Sequence, residues 1–121
     1  MPDNGKVIVG CRHGDEEPDR VCVSYLTSAA ALDEGKAVVM WLSSEGVRLA
    51  LRGYVDRIRE DQEPPVNPVH DQFIEKGGRF YVCRSAFNDR QLDKDQLVDS
   101  AELKGATPLM QFAGHGATTF T

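Results

Sequence analysis

The sequence predicts an α/β fold of three layers, in which a flavodoxin-like, mostly parallel sheet of about five strands carries helices on both faces. Short apolar runs recur along the chain, as is typical of strands buried on both faces. They alternate with segments of helical periodicity that begin at proline or capping residues and end at glycine. Right-handed crossovers then join parallel strands. The 121 residues fit a single domain, 1–121.

The first part of the chain supplies two strands and a long helix. "KVIVGC" (6–11) predicts the first strand. Pro18, followed by acidic side chains that suit a helix dipole, predicts a helix start, and Gly35 predicts its end. "KAVVMWL" (36–42) is apolar on both faces and predicts the second strand.

Two helical segments follow the second strand. Ser43 or Ser44 can cap a helix that Gly53 interrupts, and "GYVDRIREDQ" predicts a further turn or two. Asn67 and Pro68 fit the cap and first position of a third helix. The glycine pair before "RFYVC" predicts its end.

Three further strands are predicted in the last third of the chain: 79–83, 101–106 and 117–121. A polar loop is expected directly after the first of them, and Asp93 with Gln96 then fits a capping box for another helix. "LMQFA", which follows a Thr-Pro pair, predicts a short final helix, and "GHG" predicts the turn from it into the last strand.

Composition excludes several classes of partner and location. The net charge of −5 argues against nucleic acid and anionic membranes, which both reward a basic surface. No apolar run approaches a membrane-spanning length, and the N-terminus lacks the layout of a signal peptide. Three cysteines without a CxxC motif do not form the framework of a secreted disulfide-rich protein. We therefore expect a cytoplasmic protein with free thiols.

Ligands of such sheets bind at the carboxyl ends of the strands, near the point where the strand order reverses. This rule selects the loops that follow the first three predicted strands. They are Cys11-Arg12-His13-Gly14, Ser43-Ser44-Glu45-Gly46 and Cys83-Arg84-Ser85.

Cys83 and Cys11 are the candidate reactive thiols. In the flavodoxin-like order 2-1-3-4-5 the first and third strands are neighbours, which would bring the two thiols close together. A nearby cation or the N–H groups of a turn would lower a thiol pKa, and Arg84, Arg12 and His13 can supply the cation. The alternative is that both cysteines are small buried side chains.

The loop after the second strand has two readings. Free N–H groups at the start of a capped helix can bind an anion, which would make Ser43 and Ser44 binding residues, but the sequence favours an ordinary helix cap. Glu45 can accept a proton beside a thiol, or simply complement the helix dipole. The chain carries no glycine-rich nucleotide loop, zinc-ligand spacing or serine-nucleophile elbow, so we expect no metal and no cofactor.

Three stretches of the sequence resemble one known family. "VVMWLSSEGVRLAL", "FIEKGGRFYVCRSAFNDRQL" and "GATPLMQFAGHGATTFT" are similar to the DsrE/DsrF-like family, whose members include the TusD and YchN proteins and are often labelled predicted peroxiredoxins. The resemblance implies a parallel sheet of about five strands and assembly into trimers or hexamers. It also implies that Cys83 carries sulfur as a persulfide and passes it to a partner protein. Many relatives have a second cysteine or a small apolar residue after this position, where this chain has "CRSAF".

Three functions remain open from the sequence. The first is a cysteine-based sulfur carrier that exchanges sulfur with donor and acceptor proteins or small sulfane-sulfur compounds, with Cys11 as a resolving thiol. The second is a binding module for a small anion, a nucleotide-like ligand or a partner, in which Cys83 is inert. The third is a thiol peroxidase.

Overall fold

The computed structural model describes residues 5–58 and 65–121. Its centre is one sheet of five parallel strands in the order β4-β3-β2-β1-β5. The strands are β1 (Lys6–Cys11), β2 (Ala37–Leu42), β3 (Arg79–Cys83), β4 (Ala101–Lys104) and β5 (Thr118–Phe120). The predicted α/β class and all five predicted strands are confirmed.

Helices of two kinds connect these strands. The α-helices are α1 (Pro18–Asp33), α2 (Val66–Glu75), α3 (Arg84–Asp89) and α4 (Ala106–Ala113). Short 3₁₀ helices cover Ser44–Ala50, Tyr54–Arg57 and Lys94–Gln96. Within residues 5–58 and 65–121, no helix is long and apolar enough to cross a membrane.

The strand order differs from the flavodoxin order in one respect that bears on function. β2 lies between β1 and β3, so the prediction that the first and third strands are neighbours is wrong. The three connections that lead from β1 through β2 and β3 to β4 each place the next strand on the same side of the sheet. The last connection, from β4 to β5, places β5 at the free edge of β1. The helices of the first two of these connections, α1 and α2, are in contact on one face of the sheet.

The two faces of the sheet are covered unequally. The larger core lies under α1 and α2 and contains the fully buried rings of Tyr25, Phe73 and Phe80. A much smaller core on the opposite face is built around Ile8 and Leu109, the latter on α4. The helices therefore lie on both faces, as the sequence predicts, but most apolar burial is on one side.

Several predicted helix boundaries need correction. Ser43 occupies the cap position, but its side chain makes no capping hydrogen bond, and the segment that follows is a 3₁₀ helix rather than an α-helix. The segment beginning at Gly53 is a single 3₁₀ stretch as far as Arg57, and residues 59–62 of the predicted extension lie outside the described part of the chain. The third helix starts at Val66, before the predicted Asn67 cap.

The region after β3 differs most from prediction. α3 begins directly at Arg84, where a polar loop was expected. Asp93 accepts a hydrogen bond from the backbone N–H of Asp95, but the helix it starts is only the 3₁₀ segment Lys94–Gln96. Backbone bonds between that region and Ala50–Arg52 hold it in an extended path instead.

Candidate functional site

Cys83 stands where β3 turns directly into α3. It is the last residue of the strand and occupies the N-cap position of the helix, with φ −58° and ψ 115°. The first backbone N–H groups of any helix have no partner within the helix. Because the chain turns at Cys83, those groups of α3 are placed beside its own thiol.

The thiol of Cys83 lies beside polar groups at the start of α3. Its Sγ lies 3.4 Å from the Ser85 hydroxyl oxygen, and the backbone N–H groups of Ser85 and Ala86 lower its pKa together with that hydroxyl. Partial burial raises the pKa of the Cys83 thiol and Asp89 raises it slightly, but these hydrogen bonds outweigh both and leave the pKa below its ordinary value. Cys83 is also partly exposed. A thiol with a lowered pKa and solvent access is a nucleophile.

Arg84 does not supply the cation that the sequence suggested for this thiol. Its guanidinium donates a hydrogen bond of 3.2 Å to the backbone carbonyl of Leu103 on β4. It contributes nothing to the lowered pKa of Cys83, which has hydrogen bonds as its cause. Arg84 nevertheless lines the cavity of about 490 Å³ onto which Cys83 opens, together with Trp41, Ser85 and Gly105.

Cys11 is a different kind of thiol. It is only 3% exposed, its Sγ donates to the carbonyl oxygen of His13 at 3.5 Å, and burial raises its pKa. Since β2 separates β1 from β3, two strand spacings put the Cα atoms of Cys11 and Cys83 about 10 Å apart. A disulfide needs Cα atoms within about 7 Å. The two cysteines therefore cannot pair within one chain without movement of the backbone.

A second cavity, of about 540 Å³, lies at the carboxyl ends of β1 and β2. Arg12, His13 and Ser43 line it, so three of the predicted binding residues meet there rather than at Cys83. His13 Nδ1 lies 3.0 Å from the carboxylate of Glu16. Trp41 lines both this cavity and the one at Cys83.

Glu45 is engaged in the scaffold rather than at a thiol. Its carboxylate accepts hydrogen bonds from Arg90 at 2.5 Å and Arg48 at 2.9 Å. The bond from Arg90 is the main reason that the pKa of Glu45 is lowered, which makes it a poor proton acceptor. Arg90 lies at the end of α3, so Glu45 ties that helix to the 3₁₀ segment that starts at Ser44. Ser44 itself is exposed and has φ 50°.

Comparison with known families agrees with this architecture. The profile of the DsrE/DsrF-like family matches residues 6–121, nearly the whole chain. The chain belongs to the DsrE/DsrF-like family. That family is related to sulfur-relay proteins.

Individual relatives of this DsrE-like chain are distant in sequence. It is 22% identical over 99 residues to the uncharacterized protein MJ0760 of Methanocaldococcus jannaschii, in an alignment that covers 82% of this chain and 36% of that protein. The chain thus spans about a third of the length of this curated relative.

Two solved structures share its fold. The YchN protein of E. coli superposes with a TM-score of 0.78 at 14% identity and covers 97% of this chain and 98% of its own. MTH1491 of Methanobacterium thermoautotrophicum, a protein of unknown function, superposes with a TM-score of 0.66 at 16% identity and covers 96% and 97%. At such identities the likeness establishes the fold.

Two features of the DsrE-like site were missed from the sequence. Trp41 was read only as part of a buried strand, although its position next to the strand end gave a signal. The backbone donor of Ala86 could not be foreseen, because it exists only once α3 starts at Arg84. Across the residues that the structure describes, no three His, Cys, Asp or Glu side chains come together as a metal site.

Proposed function

We propose that this protein is a sulfur carrier in which the thiolate of Cys83 accepts a sulfane sulfur and passes it on as a persulfide. The observation that carries the proposal is the position of Cys83, which opens onto a cavity where β3 turns into α3, with its Sγ 3.4 Å from the Ser85 hydroxyl oxygen. Membership of a family related to sulfur-relay proteins supports it.

The transfer is a thiol exchange without net oxidation. Cys83–S⁻ attacks the outer sulfur of a donor R–S–SH. The donor S–S bond breaks, R–S⁻ leaves with the bonding electron pair, and the outer sulfur stays with its proton as Cys83–S–SH. An acceptor thiolate then attacks that outer sulfur, and Cys83 leaves as a thiolate. A lowered pKa assists both steps, because it raises the thiolate fraction in the first and improves the leaving group in the second.

Mass spectrometry after incubation with a sulfane-sulfur donor tests the proposal. We expect the folded protein to gain the mass of one sulfur atom on the peptide that contains Cys83. The Cys11→Ala variant should retain that gain, because the Cys11 thiol that it removes is buried and has a raised pKa. The Cys83→Ser variant should lose the gain. An unmodified Cys83 in folded protein would refute the carrier function and favour a binding module. Peroxide consumption that depends on Cys83 would favour a thiol peroxidase.

Two variants separate the contributions at the thiol. Ser85→Ala removes one donor to Cys83 Sγ, and we expect its alkylation by iodoacetamide at neutral pH to slow about threefold to tenfold, since a hydrogen bond to a charged group contributes on the order of 1 kcal/mol at a partly exposed site. Arg84→Ala is the matched control, because that side chain bonds to the Leu103 carbonyl instead, and its rate should stay within about twofold.

We include homo-oligomerisation in the proposal, as the resemblance to trimeric and hexameric family members implies. Four large apolar side chains support it by their exposure on the isolated chain: Val23, Leu26, Met110 and Phe120. Such exposure is typical of association surfaces when the residues are contiguous. Sedimentation equilibrium measures the assembled mass, and a monomer at micromolar concentration would contradict this part of the proposal.

A further inference from the structure

The cavity at the carboxyl ends of β1 and β2 has the dimensions of a small-molecule site. Its volume of about 540 Å³ lies within the common range for ligand pockets, about 300–1,000 Å³. The connection that leaves β4 crosses the sheet and places β5 on the other side of β1. The cavity lies at this point, because it is lined by Gly10 of β1 and by Thr121, the residue directly after β5. Parallel sheets bind ligands at such a reversal of strand order.

Two cations of this cavity have no side-chain partner in the part of the chain that the structure describes. Arg12 and Arg20 both line it, and neither side chain makes an ion pair or hydrogen bond among residues 5–58 and 65–121. The other described arginines all do: Arg48, Arg52, Arg57, Arg79, Arg84 and Arg90. Both side chains are solvent-exposed, and in a chain of net charge −5 two guanidinium groups that line one cavity without a partner among the described residues favour an anionic ligand.

The remaining polar groups narrow the ligand class. Asp19 also lines the cavity without an ion pair among the described residues, and it can receive an ammonium group. The hydroxyl groups of Ser24 and Ser43 add neutral hydrogen-bonding partners. Two cations and one carboxylate match a small molecule with two carboxylates and one ammonium, which is the charge pattern of a short acidic peptide.

The position of the cavity connects it to Cys83. Trp41 lines both cavities, and it lies on β2, the strand between the two cysteine-bearing strands. The ends of β1 and β3 are about 10 Å apart across β2. An extended peptide of three residues spans about the same length. A peptide-like thiol in the cavity of Arg12 and Arg20 therefore lies within about one such length of the cavity of Cys83.

We propose that this cavity binds a low-molecular-weight, peptide-like thiol that carries two carboxylates and an ammonium group and that presents its persulfide to Cys83. The delivery step rests on the proposed function: the thiolate of Cys83 takes the outer sulfur, the S–S bond of the donor breaks, and the donor leaves as R–S⁻. Binding of the molecule itself does not depend on Cys83.

Fluorescence of Trp41 measures the binding directly, since it is the one tryptophan of the sequence. The probe is S-methylglutathione, which has the required charges and no reactive thiol, titrated into the Cys83→Ser variant. We expect a saturable change in emission. The double variant Arg12→Ala/Arg20→Ala in the same background should weaken binding at least tenfold, the equivalent of about 1.4 kcal/mol.

A matched double variant, Arg52→Ala/Arg79→Ala, removes two exposed arginines outside the cavity and should leave the affinity within about twofold. Circular dichroism establishes that each variant is folded. No saturable signal, or equal affinity in both double variants, would overturn the proposal. Inorganic phosphate or thiosulfate that binds as tightly as S-methylglutathione and displaces it would overturn the assigned ligand class.

Sulfur transfer to the wild-type protein separates the two proposals. Binding of the probe without any sulfur gain on Cys83, from either glutathione persulfide or an inorganic donor, refutes the carrier function and leaves the peptide site standing. Sulfur gain from an inorganic donor, with no binding of the probe, overturns the peptide site and leaves the carrier function standing. Loss of transfer from glutathione persulfide in Arg12→Ala/Arg20→Ala, with transfer from the inorganic donor retained, supports both.

Discussion

The buried hydrogen bond between Tyr25 and His70 allows the contribution of a single polar contact to the stability of the core to be measured. The Tyr25 hydroxyl lies 2.6 Å from His70 Nδ1, and the two residues are 0% and 5% exposed. The Tyr25→Phe substitution keeps the ring, which packs edge-on against Phe73 and Phe80, and removes only the hydroxyl. It therefore leaves Nδ1 buried among apolar rings without its partner.

The cost follows from that lost partner. A buried polar group without a hydrogen bond costs about 1–3 kcal/mol. In a domain of this size each kcal/mol corresponds to roughly 4 °C in Tm, so we expect Tyr25→Phe to lower Tm by about 4–12 °C. Urea denaturation followed by circular dichroism gives the free energy of unfolding independently of heating.

Tyr81→Phe is the matched control. Tyr81 is a half-buried residue of β3 in the smaller core, and its hydroxyl has no hydrogen bond among the described residues. Its loss should change the free energy of unfolding by no more than about 0.5 kcal/mol. If Tyr25→Phe and Tyr81→Phe destabilise the protein equally, the reasoning from the buried hydrogen bond is wrong.

The remaining predictions concern pH, backbone packing and one salt link. Burial lowers the pKa of His70, so as the pH falls His70 is protonated in the unfolded chain before it is protonated in the folded protein. The free energy of unfolding should therefore have its full value above about pH 6.5 and decrease below it. A urea midpoint that does not change from about pH 7.5 to 5.5 would contradict this. Gly46→Ala should lower the free energy of unfolding by about 2–3 kcal/mol, because a Cβ there would overlap the Cys11 carbonyl oxygen. The control is Gly116→Ala, where a Cβ would lie in open space, and it should change that free energy by no more than about 0.5 kcal/mol in the same denaturation assay. Glu45→Gln should cost less than about 1 kcal/mol, because the salt bridge is partly exposed, and the loss should shrink in 1 M salt; a loss independent of salt would argue against an ionic contribution.

The strands were predictable because a parallel strand buried on both faces must be apolar throughout. β1 and β2 are of this kind, and their predicted bounds agree with the structure to within one residue. Strand order leaves no such mark, because it depends on which way each crossover turns over the sheet. In the structure the observed order comes with contact between α1 and α2, which involves residues far apart in the chain.

α3 was missed for a physical reason as well. Its six residues, "RSAFND", are too few to show helical periodicity, and no serine, threonine or aspartate precedes them as a cap. Tertiary contacts stabilise it instead, through the buried ring of Phe87 and the salt bridge from Arg90 to Glu45. The position of Cys83 at the carboxyl edge of the sheet and N–H groups in the turn after it could therefore be predicted, whereas the helix that supplies those groups could not.

The strand order separates the cavity at the ends of β1 and β2 from the cavity at Cys83. Because β2 separates the ends of β1 and β3, Arg12 and Arg20 line one cavity and Cys83 lines the other, and Trp41 lines both. Arg84 also lines the cavity of Cys83, but its guanidinium donates to the Leu103 carbonyl and not to the thiol. Neutral donors at Cys83 lower the pKa of the thiol without adding a fixed positive charge. If both proposals hold, this separation lets charge at one cavity select the donor molecule while Cys83 at the other passes the sulfur on.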